Sequence, residues 1–255
     1  MKHKTDRSFD GIAAKFQKNI YSSTKGKLRQ LVLLRDLARL DVLQQPSKIL
    51  DVGAGQGQLA LALAGQGHSV HLTDISADML ALAQQQAAAL SLTQVSVEQI
   101  GLADLVRTHS QRYPLILCHA MLEWLAEPEL AIAQLRQLLE PGGMLSLMFY
   151  NKDAKRFANI LFGNFDYVAA DFQVKKKVSL NPQHPLTPDD VLRWCQAAGF
   201  KVIQKTGVRC FHDYLRDRGL QHSHFDQLLA LELQYNQIEP YASLGRYQHL
   251  VLKAD

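Results

Sequence analysis

The segment Ile49-Leu-Asp-Val-Gly-Ala-Gly-Gln-Gly57 constrains the fold more than any other part of the chain. An apolar run ends on glycines at alternate positions, and a helical pattern, 58–65, begins at once. Glycine lets the backbone turn tightly and leaves no Cβ between it and a ligand. The following helix then points free amide hydrogens and partial positive charge at whatever sits over the turn. The alternation continues through a strand at 69–73, a helix at 77–90 capped by Ser76, and strands at 94–99 and 115–118. A helix at 128–139, stopped by Pro141-Gly-Gly143, leads to a strand at 144–149. Repeated β–α alternation predicts a parallel sheet with helices on both faces.

Outside this run the pattern is looser. Residues 8–45 read as two helices, the first on Phe9, Ile12, Ala13 and Phe16, the second on Leu28, Leu31, Val32, Leu34 and Leu37. Residues 151–187 hold Lys175-Lys-Lys177 with Pro182 and Pro185, followed by Pro188 at the next helix entry, and read as a loop-rich insertion. A helix at 188–198, a strand at 201–206, a largely helical stretch at 213–236 and a strand at 247–252 complete the chain. We read one domain: a helical extension at 1–45, a cofactor-binding core at 46–150, the insertion at 151–187, and at 188–255 the rest of the sheet with substrate-side helices.

The 255 residues, 47% hydrophobic and 20% charged, suffice for an ordinary core. A net charge of +4 is too weak alone to establish nucleic-acid binding. Cys118, Cys195 and Cys210 lack CxxC spacing, so neither a metal site nor a redox pair is indicated, and scattered thiols fit a reducing cytoplasm. His68 with His71, and His222 with His224, have some ligand spacing but no accompanying carboxylate or cysteine pattern, and read as surface histidines. The polar N-terminus lacks a signal-peptide core, and no run of about 18 apolar residues exists. No membrane span is expected.

The dinucleotide fingerprint GxGxxG fails, because its last position is Gln58. The spacing GxGxG after Asp51 resembles motif I of the class I methyltransferases instead. A carboxylate such as the methionyl end of S-adenosyl-L-methionine suits the helix N-terminus beyond it. Alone, Asp74 reads as a helix cap. Placed after this motif and a strand, it reads as the acceptor for two ribose hydroxyls. Gly101 occupies a slot where an acidic residue often holds adenine, so the backbone of Leu102 and Ala103 is the expected adenine contact, with Asp104 a less suitable substitute. His119 ends a strand and falls at the cofactor's edge, near the sulfonium, although a lone histidine is more often a packing residue.

Nearly the whole chain resembles the bacterial tRNA 5-carboxymethoxyuridine methyltransferases. The resemblance is carried by Lys15-Phe16, Asn19-Ile-Tyr21, Thr24-Lys-Gly26, Leu28-Arg-Gln30, His119-Ala120 and Leu122-Glu-Trp124. It continues through Pro141-Gly-Gly143, 145–151, 163–168, Lys175 to Lys177, 205–209, 211–216 and Gly245-Arg-Tyr247. It implies a Rossmann-like, seven-stranded class I sheet. It implies methylation of the carboxylate of 5-carboxymethoxyuridine at the wobble position of tRNA, with S-adenosyl-L-homocysteine as the other product. It also implies cofactor contacts at Arg29, Gly53, Ala54, Asp74, Leu102, Ala103 and His119, which join Gly55 from the motif itself. Ala54 stands where the family has glycine, and its methyl is tolerated if φ is negative.

A carboxylate is already ionised at pH 7. Methylating it requires placement and dryness rather than a general base, and no acid–base residue is expected. Arg209 and Arg246 are candidate clamps for it, and Tyr150 and Tyr214 candidate orienting hydroxyls. Each could equally be a surface or core-edge residue. Lys18, Lys25 and Lys27, near Lys15, Arg29 and Tyr21, form one candidate RNA surface, and Lys175, Lys176 and Lys177 a second. Arg29 could instead pair with the cofactor's carboxylate. Two alternatives stay open: a methyltransferase acting on a quinone or small carboxylic acid, and a protein that binds the cofactor without turnover.

Overall fold

β1 (Lys48–Val52) lies inside the sheet and is buried at every position after Lys48. Helices cover both of its faces, so the strand is buried on both sides rather than alternating, with Ile49, Leu50 and Val52 as its apolar part. The computed structural model describes residues 10–11, 23–173 and 184–255. The sheet order is β3 (Val95–Gln99), β2 (Ser69–Asp74), β1, β4 (Tyr113–His119), β5 (Leu139–Tyr150), β7 (Tyr247–Ala254), β6 (Phe200–Val208). The first five strands pair in parallel. β7 inserts antiparallel between β5 and β6, so the sheet is mixed. The strand order reverses between β1 and β4, and in such sheets a crevice opens beyond the strand C-termini at that point.

The helices are α1 (Thr24–Leu37), α2 (Gln58–Ala64), α3 (Ala77–Ala89), α4 (Leu102–Thr108), α5 (Pro128–Gln137), α6 (Lys152–Leu161), α7 (Phe165–Ala169), α8 (Pro188–Ala197), α9 (Leu220–Ser223) and α10 (Phe225–Tyr235). On one face Leu28, Val32 and Leu37 of α1 and Leu59 and Leu63 of α2 join Ile49, Leu115 and Val251 of the sheet. On the other, Ile132 and Leu135 of α5 and Val191 of α8 join Leu50, Ile116 and Phe149. Ser76 caps α3 as expected, its hydroxyl accepting from the Met79 amide.

Three expectations change. Pro141-Gly-Gly143 does follow a helix end, but the chain is already extended from Leu139, and Tyr113 pairs with Leu139 before a register shift. Gly142, at φ 71°, sits inside that irregularity. The described part of 151–187 is not loop-rich: it holds α6 and α7. Asn151 starts α6, its Oδ1 accepting from the amides of Asp153 and Ala154 at 2.9 and 3.3 Å. The stretch 213–236 is broken into a 3-10 turn at His212–Tyr214, then α9 and α10. The helix expected on Phe9 to Phe16 and the cluster Lys175 to Lys177 lie outside the described residues.

Candidate active site

The turn after β1 has the left-handed backbone that the glycine spacing suggests: φ is 66° at Gly53, 56° at Gly55 and 66° at Gly57. A Cβ on Gly53 would lie 2.6 Å from Met121 Sδ, and one on Gly57 2.1 Å from Leu72 Cδ2. Ala54 is not among the residues with positive φ, so its methyl is accommodated. The turn is tied to β2: the Gly55 amide donates to Asp74 Oδ2 and the Ser76 amide to Asp74 Oδ1, both at 2.8 Å. Burial raises the Asp74 pKa, opposed by these amides. Each oxygen retains a second lone pair for a ligand hydroxyl.

Over this turn runs one cleft with two lobes. Arg29, Ala54, Gly55, Asp51 and His119 line the inner lobe, and Ile75, Gly101, Leu102 and Ala103 the outer. Gly53, Asp74, Ala120 and Trp124 line both, so the lobes are continuous. The structure thus brings Arg29, Gly53, Ala54, Gly55, Asp74, Leu102, Ala103 and His119 together. Asp104 reaches the outer rim but pairs with Arg107 at 2.9 Å. Asp51 is a further cleft residue. Burial first, then the charge of Asp74, pushes its carboxyl up to about 8, so it favours a cationic neighbour. Its sequence signal was its place as the acid before the GxGxG turn, which did not itself say what the carboxyl would hold.

The cleft therefore has a carboxylate pair beside an arginine and a helix N-terminus at one lobe, and backbone amides with an apolar wall at the other. Those features fit an adenosyl amino acid: Asp51 for an ammonium, Arg29 and α2 for a carboxylate, Asp74 for a ribose, Leu102 and Ala103 for a base. His119 Nε2 lies 2.8 Å from Ser146 Oγ. Burial, then His249 and Arg29, holds this imidazole well below its ordinary pKa, so it is neutral.

Beyond β5 a second cluster forms around Asp213. Arg209 Nη2 lies 3.1 Å and Arg246 Nε 3.7 Å from Asp213 Oδ2. Burial raises the Asp213 carboxyl, but Arg209, a hydrogen bond from His212 and Arg246 together hold it well below the carboxylate range. The two arginines are neighbours because the Arg246 amide donates to Arg209 O and the backbone closes tightly at Gly245, where a Cβ would meet Gly207 Cα at 2.5 Å. Arg209 has φ 64°, a conformation uncommon for a side-chain-bearing residue and enriched at functional sites. Its guanidinium lies over the Tyr247 ring and that of Arg246 over Tyr150, and the two tyrosines meet edge to face at 5.3 Å. Arg209 Nε and Arg246 Nη1 are buried with no hydrogen-bond partner among the described residues. Tyr214 joins the cluster differently from expectation: its hydroxyl donates to Leu244 O at 2.8 Å, holding backbone.

Of the lysines singled out, Lys25 lines a small pocket with Asp213, Arg218, Arg246 and Phe162. Desolvation in this pocket lowers its pKa, Asp213 opposes that, and Arg209, Arg218 and Arg246 add to it. Lys27 lies over the Phe225 ring at 4.6 Å. Lys18 and Lys175 to Lys177 lie outside the described residues. His222 and His224 are exposed, whereas His68 is buried, its Nδ1 accepting from the Ser47 amide, and His71 pairs with Glu98. No cluster of three or more metal-ligating side chains occurs among the described residues, and no described helix is long and apolar enough to cross a membrane.

Comparison with known proteins bears on the fold and the family. A family described as "Methyltransferase domain" matches residues 50–145. The tRNA 5-carboxymethoxyuridine methyltransferase of Escherichia coli is 45% identical over 251 residues, 97% of this chain and 96% of its own. A ubiquinone biosynthesis O-methyltransferase of Glaesserella parasuis is 30% identical over 63% of this chain and 67% of its own. Among solved structures, magnesium protoporphyrin IX methyltransferase from Synechocystis, with bound S-adenosylhomocysteine, superimposes with a TM-score of 0.65 at 16% identity, covering 97% of this chain and 96% of that one. At 45% identity over almost the full length of both chains, the chain belongs to the tRNA 5-carboxymethoxyuridine methyltransferase family.

Proposed function

We propose that the protein methylates the carboxylate of 5-carboxymethoxyuridine at the wobble position of tRNA, in the cytoplasm, giving the methyl ester. S-adenosyl-L-methionine supplies an electrophilic methyl on a sulfonium and leaves as S-adenosyl-L-homocysteine. Arg29, Asp51, Gly53 to Gly55, Asp74, Leu102, Ala103 and His119 would hold it in the two-lobed cleft.

The observation that carries this reading is the Arg209–Arg246 pair, with two buried, unpartnered N–H donors, seated on Tyr150 and Tyr247. Tyr150 ends the strand whose Met148 lines the inner lobe. A planar carboxylate is the complement of such a guanidinium pair. Asp213 shares both positive charges, so the pair can hold an anion without drawing off the electron density that makes it a nucleophile. The ionised carboxylate requires no base, and the chain's contribution is orientation and exclusion of water.

RNA would reach the site past Lys25, Arg218 and Phe162, where positive charge and an exposed ring suit a phosphate and a base. Nucleoside mass spectrometry of tRNA from cells lacking the protein tests the reading. The ester should vanish and free 5-carboxymethoxyuridine accumulate, and purified protein with S-adenosyl-L-methionine should restore the ester. Unchanged ester levels would overturn the proposal.

A further inference from the structure

His119 is the inner end of a buried chain of hydrogen bonds that crosses the sheet. Its Nε2 lies 2.8 Å from Ser146 Oγ on β5. The same hydroxyl lies 2.8 Å from His249 Nε2 on β7. His249 Nδ1 lies 2.8 Å from Asp36 Oδ2 on α1. Ser146, His249 and Asp36 are each wholly inaccessible to solvent. At the far end Asp36 Oδ1 accepts from Arg35 Nε at 2.8 Å and Gln237 Nε2 at 3.2 Å, which anchors the carboxylate.

The direction of the chain follows from its anchored end. An ionised carboxylate only accepts, so His249 Nδ1 carries hydrogen. Asp36 is ionised: burial raises its pKa, but the hydrogen bond from His249 and the charge of Arg35 bring it below the ordinary carboxylate value. With hydrogen on Nδ1 alone, His249 Nε2 is an acceptor and takes the Ser146 hydroxyl hydrogen. Ser146 Oγ in turn accepts from His119 Nε2–H, leaving His119 Nδ1 as a bare lone pair.

We propose that Asp36, His249 and Ser146 are positioning residues that fix His119 as the Nε2–H tautomer, so that its Nδ1 lone pair favours a cationic ligand in the inner lobe of the cleft. The inference rests on the reading of that cleft as the site for S-adenosyl-L-methionine. The donor's sulfonium is positive and the product's thioether is neutral, so the imidazole's polarity acts on one and not the other. A lone pair turned to the cleft attracts the sulfonium, while an N–H there would repel it. The chain thereby tilts binding toward the loaded donor and away from the demethylated product. Arg29, which lowers the pKa of His119 from α1, and His249 itself are the charged or titratable groups acting on it, and both oppose a second proton there.

Two measurements test this. Nitrogen-15 NMR of the wild-type imidazoles, with the His119 signals assigned by their loss in His119→Gln, should show hydrogen on Nε2 and not on Nδ1. Calorimetry should then compare donor and product affinities in Ser146→Ala, which removes the central hydroxyl from the buried chain. The ratio of product to donor affinity should rise at least about fivefold, the scale of losing one ordinary oriented hydrogen bond, while the melting profile stays cooperative. Hydrogen on Nδ1 in the wild type, or an affinity ratio unmoved by Ser146→Ala, would overturn the proposal. If Ser146→Ala fails to fold, the wild-type tautomer decides alone. Wild-type protein that binds neither molecule would sink the reading of the cleft as well, whereas normal binding with an unmoved ratio sinks the relay only.

Discussion

Glu123 has no exposed surface in the 3-10 turn after β4, and neither carboxylate oxygen has a hydrogen-bond partner among the described residues. Burial pushes its pKa up to about 7, only partly opposed by nearby amides and Arg29. A folded-state pKa above the unfolded value means the native protein binds the proton more tightly, so stability is lost as pH rises from below the unfolded pKa through about 7. Glu123→Gln should remove that loss. Relative to wild type, the variant should gain up to about 3 kcal/mol between acidic and mildly alkaline pH, at about 1.36 kcal/mol per pKa unit. Urea denaturation across that range reads it, and a constant difference would refute the assignment. Asp51 gives a second prediction at this scale. With its carboxyl near 8, it is mostly protonated at neutral pH and must ionise to meet a ligand ammonium. Cofactor binding should therefore release a proton, seen as a buffer-dependent calorimetric heat. Asp51→Asn should abolish that release and weaken binding about tenfold, the scale of one charge-assisted bond. Proton release persisting in the variant would clear Asp51 of the role. Asp74 was legible in sequence because its meaning depends on a local pattern of strand and glycine turn. Asp51 was visible as the acid before the glycines, but its raised pKa, like that of Glu123, comes from burial, which no neighbouring residue announces.

Among the elements, α6 shows how a polar residue can set geometry for a site it does not touch. Asn151 uses Oδ1 to cap the helix and Nδ2 to donate to Ser243 O and Gly245 O, each at 3.0 Å. It thus ties the helix after β5 to the loop that delivers Arg246. Asn151→Ala removes a cap worth about 1 kcal/mol and strips two carbonyls of a donor at about 1–3 kcal/mol apiece. A loss of about 3 kcal/mol in chemical denaturation is expected, together with weaker binding of the nucleoside substrate. A loss under about 0.5 kcal/mol would show that the carbonyls find other donors. The β–α alternation of 48–150 was legible because each element buries its own periodic stripe. The helices of 152–169 were not, since Lys, Asn and Gly there resemble loop composition. Pairing of β7 between β5 and β6 was equally hidden, because strand order is settled by packing between distant segments.

At the scale of the whole molecule, the site is closed by the two ends of the chain. Arg29 and Asp36 come from α1, and Arg246, Tyr247 and His249 from the start of β7 and the residue before it, while the matched methyltransferase segment of 50–145 supplies the cofactor turn. Charge is distributed to suit that arrangement. Many described surface cations are paired locally, as in Arg107–Asp104, Lys152–Asp171, Arg156–Asp153, Arg193–Asp190 and Lys205–Glu239. Lys25 and Arg218 are within ion-pair distance of no acid among the described residues, and they flank the mouth nearest the arginine pair. A net charge of only +4 is therefore a poor guide to the field a polyanion meets there. If three phosphates of a single-stranded loop are neutralised at this mouth, counterion release gives a logarithmic salt slope of about −0.7 per contact. The KM for tRNA should then rise about 20-fold between 50 and 200 mM salt, while the affinity for S-adenosyl-L-methionine, which engages far fewer charges, changes little. Lys25→Ala with Arg218→Ala should flatten the tRNA slope by about two contacts and leave kcat at saturating tRNA near wild type. A slope unchanged by both substitutions would place the RNA elsewhere on the molecule.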